Sequence, residues 1–325
     1  MKDKFSREIN YMRISVTNCC NMRCNYCMPD VVKNICNDEI LTDDEIIETA
    51  RVAVKCGIVN FKITGGEPLL RSKIAELIYK LKKISDVENV SMTTNGALLS
   101  ENINELKKSG LDAINISLDS LDTKRFEKIT GFNFLNKVLE GINAAISSGI
   151  HTKINTVLQK GINDDEWEKI LLIAKENPVY VRFIELMPIG EGKNFFGVSN
   201  EKILDDIRKK YKGIETDSDV HGNGPAVYIK IPGFLGGVGF ISAICGKFCA
   251  SCNRLRLTAQ GKLKPCLSFA DYLDVREILR NTEKNLIQTK LENIIKKAIE
   301  MKPREHCFET PVKNSETLQM FEIGG

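Results

Sequence analysis

The sequence predicts an α/β fold built on an open or partial parallel barrel, followed by a region with a different rhythm. Three observations carry the prediction. Between Met12 and Glu185, short β-rich runs alternate with amphipathic helical runs, and strand–helix–strand units at that spacing give parallel strands joined by right-handed crossovers. Six such runs occur, short of the eight in a closed barrel; periodicity alone leaves a doubly wound open sheet as the alternative. After Gly190 the alternation stops.

Taken in order, the predicted strands are 12–16, 58–64, 90–94, 113–118, 152–158 and 179–185. Between the first two, Thr42 and Glu45 form a capping-box pattern, Ile46, Ile47, Ala50 and Val54 share one helical face, and Gly57 ends the helix. A second helix spans 134–148 and stops at Gly149, and Asn163 with Glu166 repeats the capping-box pattern before a third. Beyond Gly190 the pattern gives a capped helix at 199–211 and strands at 226–231 and 239–244. A hairpin follows, with 255–258 and 262–264 flanking Ala259-Gln260-Gly261, and then a long helix at 282–301. Two units are therefore expected, 1–190 and 191–325. The terminal Gly324-Gly325 is of a kind usually disordered, or else able to thread a site too narrow for side chains.

The 325 residues are 42% hydrophobic, enough for a sizeable core, and 46 basic against 43 acidic side chains leave a net charge of +3. This is no polycation for coating nucleic acid, and any anion site is local. Residues 1–13 lack an apolar core of signal-peptide length, and the longest apolar run, 233–245, is glycine-rich and too short for a bilayer. The expectation is a cytoplasmic protein with neither membrane nor nucleic-acid partner.

Eleven cysteines in a reducing compartment point to metal rather than disulfides. Cys20, Cys24 and Cys27 suit a short loop wrapped round one centre. Three thiols leave a four-iron cluster one ligand short, hence with an open position for chemistry; buried thiols or a partial zinc site is the plainer alternative. Cys249, Cys252 and Cys266 form a second group, which the hairpin folds together. A zinc ribbon there would need a fourth ligand, for which Cys245 is the one candidate. Cys19, Cys36, Cys56, Cys245 and Cys307 read by default as ordinary thiols.

Other unusual residues fall at the C-terminal ends of the predicted strands, where α/β folds gather their chemistry. They are Thr64-Gly65-Gly66-Glu67-Pro68, Thr93 to Gly96, Ser117 to Asp119, Lys153 with Asn155, and Arg182, Glu185 and Met187. Arg254 and Arg256, two apart on a strand, turn both guanidiniums to one face, which suits an anion such as phosphate.

Cys20-x3-Cys24-x2-Cys27, with Tyr26 before the last thiol, and Thr64-Gly-Gly-Glu-Pro68 resemble the signature of the radical S-adenosylmethionine superfamily. Residues 182–190 and 248–258, with Cys266 and the terminal Gly-Gly, narrow the resemblance to the GTP 3′,8-cyclase family of molybdenum cofactor biosynthesis, over about 13–325. The resemblance implies a partial, TIM-like (β/α)6 barrel whose open side is closed by a C-terminal iron–sulfur region. It implies two [4Fe–4S] clusters, one on Cys20, Cys24 and Cys27 with S-adenosylmethionine at its open iron, the other on Cys249, Cys252 and Cys266 facing the guanine of GTP. Tyr26, Gly66, Ser117, Asn155 and Met187 match cofactor-binding positions. Arg13, Lys62, Thr93, Lys153, Arg182, Arg254 and Arg256 match positions that contact GTP, chiefly its triphosphate. The implied activity is that of a lyase. Reductive cleavage of S-adenosylmethionine gives a 5′-deoxyadenosyl radical that takes hydrogen from C3′, and C3′ then bonds to C8. Implied partners are an electron donor such as a ferredoxin or flavodoxin and a downstream cyclic pyranopterin monophosphate synthase; a homodimer is left open.

Three positions depart from the family pattern. Lys62 stands where arginine is common, keeping the charge but losing the forked donors. Cys19 also replaces a common arginine, leaving a substitute ligand or an inert thiol. Residues 31–41 follow no usable pattern. The rival readings are another two-cluster radical enzyme, such as a peptide maturase, and a non-catalytic zinc-binding module.

Overall fold

Alternation of apolar and polar residues decides what each strand presents to either side of the sheet. In β1 (Tyr11–Ser15) and β2 (Asn60–Thr64), Met12, Ile14, Phe61 and Ile63 are fully buried in the apolar core, while Tyr11, Arg13, Lys62 and Thr64 line a cavity on the other face. The pattern continues through β3 (Asn89–Thr94), β4 (Ala113–Ser117), β5 (His151–Val157) and β6 (Tyr180–Ile184), all parallel and hydrogen-bonded in chain order. The crossover helices are α1 (Asp43–Lys55), α2 (Ile74–Lys82), α3 (Leu99–Lys108), α4 (Thr123–Thr130), α5 (Leu135–Ser148) and α6 (Trp167–Glu176). Their apolar residues join those of the strands in one core. This is a computed structural model, and it describes residues 1–29, 40–310 and 312–324. Cys36, Gly325 and most of the 31–41 stretch lie outside the described residues.

Helix signals close to their helices hold. Thr42 Oγ1 accepts from the Glu45 N–H at 3.2 Å and Glu45 Oε2 from the Thr42 N–H at 2.8 Å, the reciprocal capping box. The Asn163/Glu166 pattern is a correction: α6 has no side-chain cap. Asn163 Nδ2 donates to the Asp119 carbonyl at 2.6 Å, and Glu166 Oε2 accepts from the Leu121 N–H at 3.1 Å. Both side chains brace the loop after β4, a long-range demand that outweighs the local one.

After α7 (Asn200–Lys210), the C-terminal region extends both edges of the same sheet. β7 (Glu215–Asp217), β8 (Val227–Lys230) and β9 (Gly237–Ile241) form an antiparallel run, with β9 parallel to β6. At the other edge β10 (Arg254–Leu257) lies parallel to β1 and continues through β11 (Lys262–Lys264) to β12 (Leu273–Asp274). The strand order is β12-β11-β10-β1-β2-β3-β4-β5-β6-β9-β8-β7. The partial barrel is thus flanked on both open sides by residues from beyond 190. α8 (Val275–Asn281), α9 (Lys284–Glu300) and the short α10 (Met320–Ile323) complete the chain. Among the described residues no helix is long and apolar enough to cross a membrane.

Candidate active site

The loop leaving β1 carries the first thiol triad. Arg23 and Asn25 N–H groups donate to the Thr130 and Ile129 carbonyls at 2.7 and 2.8 Å, which fixes the loop on the end of α4. The Cys27 N–H donates to the Cys24 carbonyl at 2.9 Å, closing a tight turn between two of the thiols. The end of β2 meets this loop at Gly66, whose N–H donates to the Thr17 carbonyl at 2.7 Å. A Cβ on Gly66 would lie 2.3 Å from the Cys19 carbonyl oxygen, so only glycine permits the approach. Glu67, fully buried, then accepts from Thr94 Oγ1 and the Asn95 N–H, each at 2.7 Å, tying β2 to the end of β3.

Burial pushes the Cys20 thiol up to about 11 and, with the nearby Cys20 charge, Cys27 to about 12; Cys24 is raised well above its ordinary range by burial and by its two partners. Tyr26 Oη donates to Asp119 Oδ2 at 2.6 Å, and burial raises that carboxyl to about 6. Three thiols this desolvated lose their protons together only to a cation placed among them.

The second triad has different neighbours. Cys249 and Cys252 sit on and after a 3₁₀ turn (Phe248–Ser251), and the β10–β11 hairpin returns the chain to Cys266. Burial also pushes the Cys252 thiol up, but the charges of Arg254 and Lys302 more than reverse it, bringing it to about 6. Arg254 Nη2 lies 3.9 Å and Lys302 Nζ 3.7 Å from Cys252 Sγ. Among the described residues no three cysteine sulfurs lie within 4.8 Å of one another, whereas a tetrahedral zinc requires sulfurs about 3.8 Å apart.

Both triads open into one cavity of about 320 Å³. Tyr26, Gly66, Ser117, Asn155 and Met187 line it, as do Arg13, Lys62, Thr93, Arg182, Arg254 and Arg256. Strand register makes the cations neighbours, since Arg13 pairs with Arg256 on one side and Lys62 on the other. Arg182 is aimed by Asn155 Oδ1 and Asn115 Oδ1, which accept from its guanidinium at 2.9 and 2.8 Å. Lys153 is the predicted residue that does not line the cavity; it is buried, and a Cβ on Gly222 would lie 3.2 Å from its Nζ. Desolvation, then Arg182 and other cations, lowers Lys62 well below its ordinary range, and desolvation and Arg182 bring Lys153 to about 7. Among the described residues Lys62, Lys153, Arg182, Arg254 and Arg256 form no ion pair with a carboxylate. Such crowding calls for a polyanion.

The tail joins the two triads. The backbone of Phe321 lies close enough to Cys27 to lower its thiol against the effect of burial, and Arg256 Nη1 donates to the Gly324 carbonyl at 2.8 Å. Gly324 has φ +81°, and a Cβ there would meet Ser15 Cβ and Thr64 Cγ2 at 3.0 Å each, so its threading, not disorder, explains the glycine. Two thiol expectations need correction or closure. Cys19 is disulfide-bonded, so its sulfur is committed and it is neither a ligand nor a plain thiol. Cys245 is exposed, does not line the cavity, and its N–H is hooked by Glu185 at 3.0 Å, so it is no fourth ligand.

Two residues of the site, Asn95 and Asp119, were visible in the sequence only as members of polar strand ends, without a role, and two more, His306 and Lys302, carried no sequence signal. Asn95 Nδ2 approaches Cys20 Sγ at 3.8 Å, and Asp119 anchors Tyr26. His306 lines the cavity, its backbone beside Cys249 and its Nε2 buried without a partner. Lys302 arrives from the far end of α9. Each depends on contacts distant in the chain.

Comparison with known proteins places the chain in a family. Residues 14–174 match the radical SAM superfamily and residues 179–308 the family described as Molybdenum Cofactor Synthesis C. A GTP 3′,8-cyclase of Clostridium perfringens is 44% identical over all of both chains, and one of Alkaliphilus oremlandii 42%, also over all of both. Among solved structures, Streptococcus suis SuiB bound to S-adenosylmethionine superposes with a TM-score of 0.63 at 16% identity, covering 87% of this chain and 66% of that one; this likeness shows the fold alone. By its full-length identity to curated members, the chain belongs to the GTP 3′,8-cyclase family of radical SAM enzymes.

Proposed function

We propose that the cavity binds S-adenosylmethionine against the first triad and GTP between the two triads, and that the protein converts GTP to 3′,8-cyclo-7,8-dihydro-GTP in molybdenum cofactor biosynthesis. The observation that carries this reading is the row of inward-facing cations between two incomplete thiol sets in one cavity. The first triad would hold a [4Fe–4S] cluster, and Cys249, Cys252 and Cys266 a second. When bound, the first cluster and S-adenosylmethionine supply reductive carbon–sulfur cleavage and hence the hydrogen-abstracting radical. The chain's own groups do the rest. Arg13, Lys62, Arg182, Arg254 and Arg256, with Lys153 behind them, neutralise the triphosphate, and Thr93 adds a hydroxyl at the same wall. Tyr26, held by Asp119, and Gly66, Ser117, Asn155 and Met187 shape the cofactor end. The threaded tail fills space beside Cys27 and Arg256, which excludes water from the reacting ribose. On this reading a ferredoxin- or flavodoxin-type donor supplies electrons in the cytoplasm, and a cyclic pyranopterin monophosphate synthase takes the product.

The test is Arg254→Ala with Arg256→Ala. Each removed charge-assisted pair is worth about 1.5–3 kcal/mol, so GTP affinity should fall by at least about 100-fold in equilibrium binding, with iron content unchanged. Unaltered GTP affinity would put the phosphates elsewhere.

A further inference from the structure

Lys302 is 2% exposed and does not line the cavity, so its ammonium is not offered to substrate. It donates to the Arg254 carbonyl at 2.6 Å and the Pro265 carbonyl at 2.9 Å, and its third close neighbour is Cys252 Sγ at 3.7 Å. Among the described residues it forms no ion pair with a carboxylate. The other buried lysine nearby, Lys264, shows the contrast: Glu316 compensates it at 2.6 Å. A buried ammonium calls for a counter-ion, and the sulfur in contact with Lys302 Nζ is that of Cys252, at 3.7 Å. Its two carbonyl acceptors belong to residues 254 and 265, so one side chain grips the chain next to two of the three thiols.

We propose that Lys302 is a positioning residue for the second cluster: a fixed positive charge behind the cavity wall that raises that cluster's reduction potential. The inference rests on the second triad holding a [4Fe–4S] cluster. With three thiolates such a cluster is anionic when oxidised and gains a further negative charge on one-electron reduction. A buried cation in contact with one thiolate stabilises the reduced form more than the oxidised form. Arg254 also approaches Cys252, but it faces the cavity, where a bound triphosphate competes for it; Lys302 keeps its charge on the sulfur whether or not substrate is present.

The test uses the full-length chain, reconstituted anaerobically, with Cys20, Cys24 and Cys27 replaced by alanine so that one cluster is observed. Iron content and an EPR-monitored redox titration against dithionite are read for this protein and for its Lys302→Gln and Lys302→Arg forms. Glutamine keeps N–H donors without charge, and arginine keeps both. Expected is at least a tenfold lower ratio of reduced to oxidised cluster in Lys302→Gln at any fixed potential, a shift of about 59 mV, with Lys302→Arg close to the parent. Loss of iron in the glutamine form alone also supports the charge. A parental midpoint in Lys302→Gln, or loss of iron in both forms, overturns the proposal. No iron in the parent would instead refute the second cluster itself.

Discussion

Around the first triad the ionisable side chains that bear on the thiols include two buried acids, Glu67 and Asp119, both raised by burial, to about 7 and about 6. Around the second they include cations, Arg254 and Lys302, while Arg7 Nη1 reaches the Cys249 carbonyl at 2.9 Å. The ligand sets are the same in kind, but the first has buried acids among its neighbours, with Arg23 beside Cys20, whereas Cys252 of the second is flanked by Arg254 and Lys302. A negative surround disfavours the more negative, reduced form of a cluster and so suits a strong reductant. A positive surround favours accumulated negative charge and suits binding beside a polyanion. On the proposed reading, the division of labour between the two triads lies in the side chains behind the thiols. The thiols themselves do not distinguish them.

The largest effect on this contrast is expected from Asp119→Asn. It keeps one acceptor oxygen for the two donors that Asp119 now serves, Tyr26 Oη and the Val157 N–H, and removes the negative charge beside Cys24 and Cys27. The first cluster's midpoint should rise by tens of millivolts, on the order of 1 kcal/mol, and 5′-deoxyadenosine formation should slow about tenfold at constant iron content. An unchanged midpoint would mean that Asp119 only holds the tyrosine, and the electrical contrast would then rest on the second site alone.

A smaller effect is expected at the tail, which touches both sites. Gly324→Ala forces a Cβ into contact with Ser15 and Thr64 at a φ of +81°, a strain of about 1–3 kcal/mol. That strain should weaken the bond from Arg256 to the Gly324 carbonyl. Turnover should fall about 3- to 30-fold, with the iron content and the thermal midpoint preserved. Full turnover would make the tail a bystander.

How much of this was legible beforehand follows from where each signal is stored. The six parallel strands were readable because each carries its own alternation, as in Met12, Ile14, Phe61 and Ile63 against Arg13 and Lys62. The cysteine groups were readable because their ligands sit within one loop or one hairpin. The electrical surroundings were not, because Lys302 and Cys252 meet 50 positions apart, and Tyr26 and Asp119 meet 93 apart. Nor was the parallel pairing of β10 with β1, which sets Arg256 beside Arg13. The Asn163/Glu166 motif misled for the same reason: a local pattern was recruited by a distant loop. The threading of Gly324 was open in sequence because the same dipeptide serves a free end and a narrow channel equally well.

The smallest effect tests how far the positive field extends along the barrel. His151 opens β5 beside Lys153, with its ring 5.5 Å from Tyr180. Burial, then the charges of Lys153, His221 and Arg182, push its imidazole down to about 4. In the unfolded chain a histidine titrates near 6.5. Between about 4 and 6.5 the folded protein therefore binds fewer protons than the unfolded chain, so stability rises with pH across that window and is lost as pH falls through it. The ring is exposed enough that solvent screens much of the effect. His151→Gln should flatten this slope, narrowing the gap between the thermal midpoints at pH 7 and pH 5 by on the order of 1 °C. The cations of the cavity wall would still be crowded in the variant, so a slope that survives intact would assign the acid sensitivity to the crowd and not to its histidine neighbour.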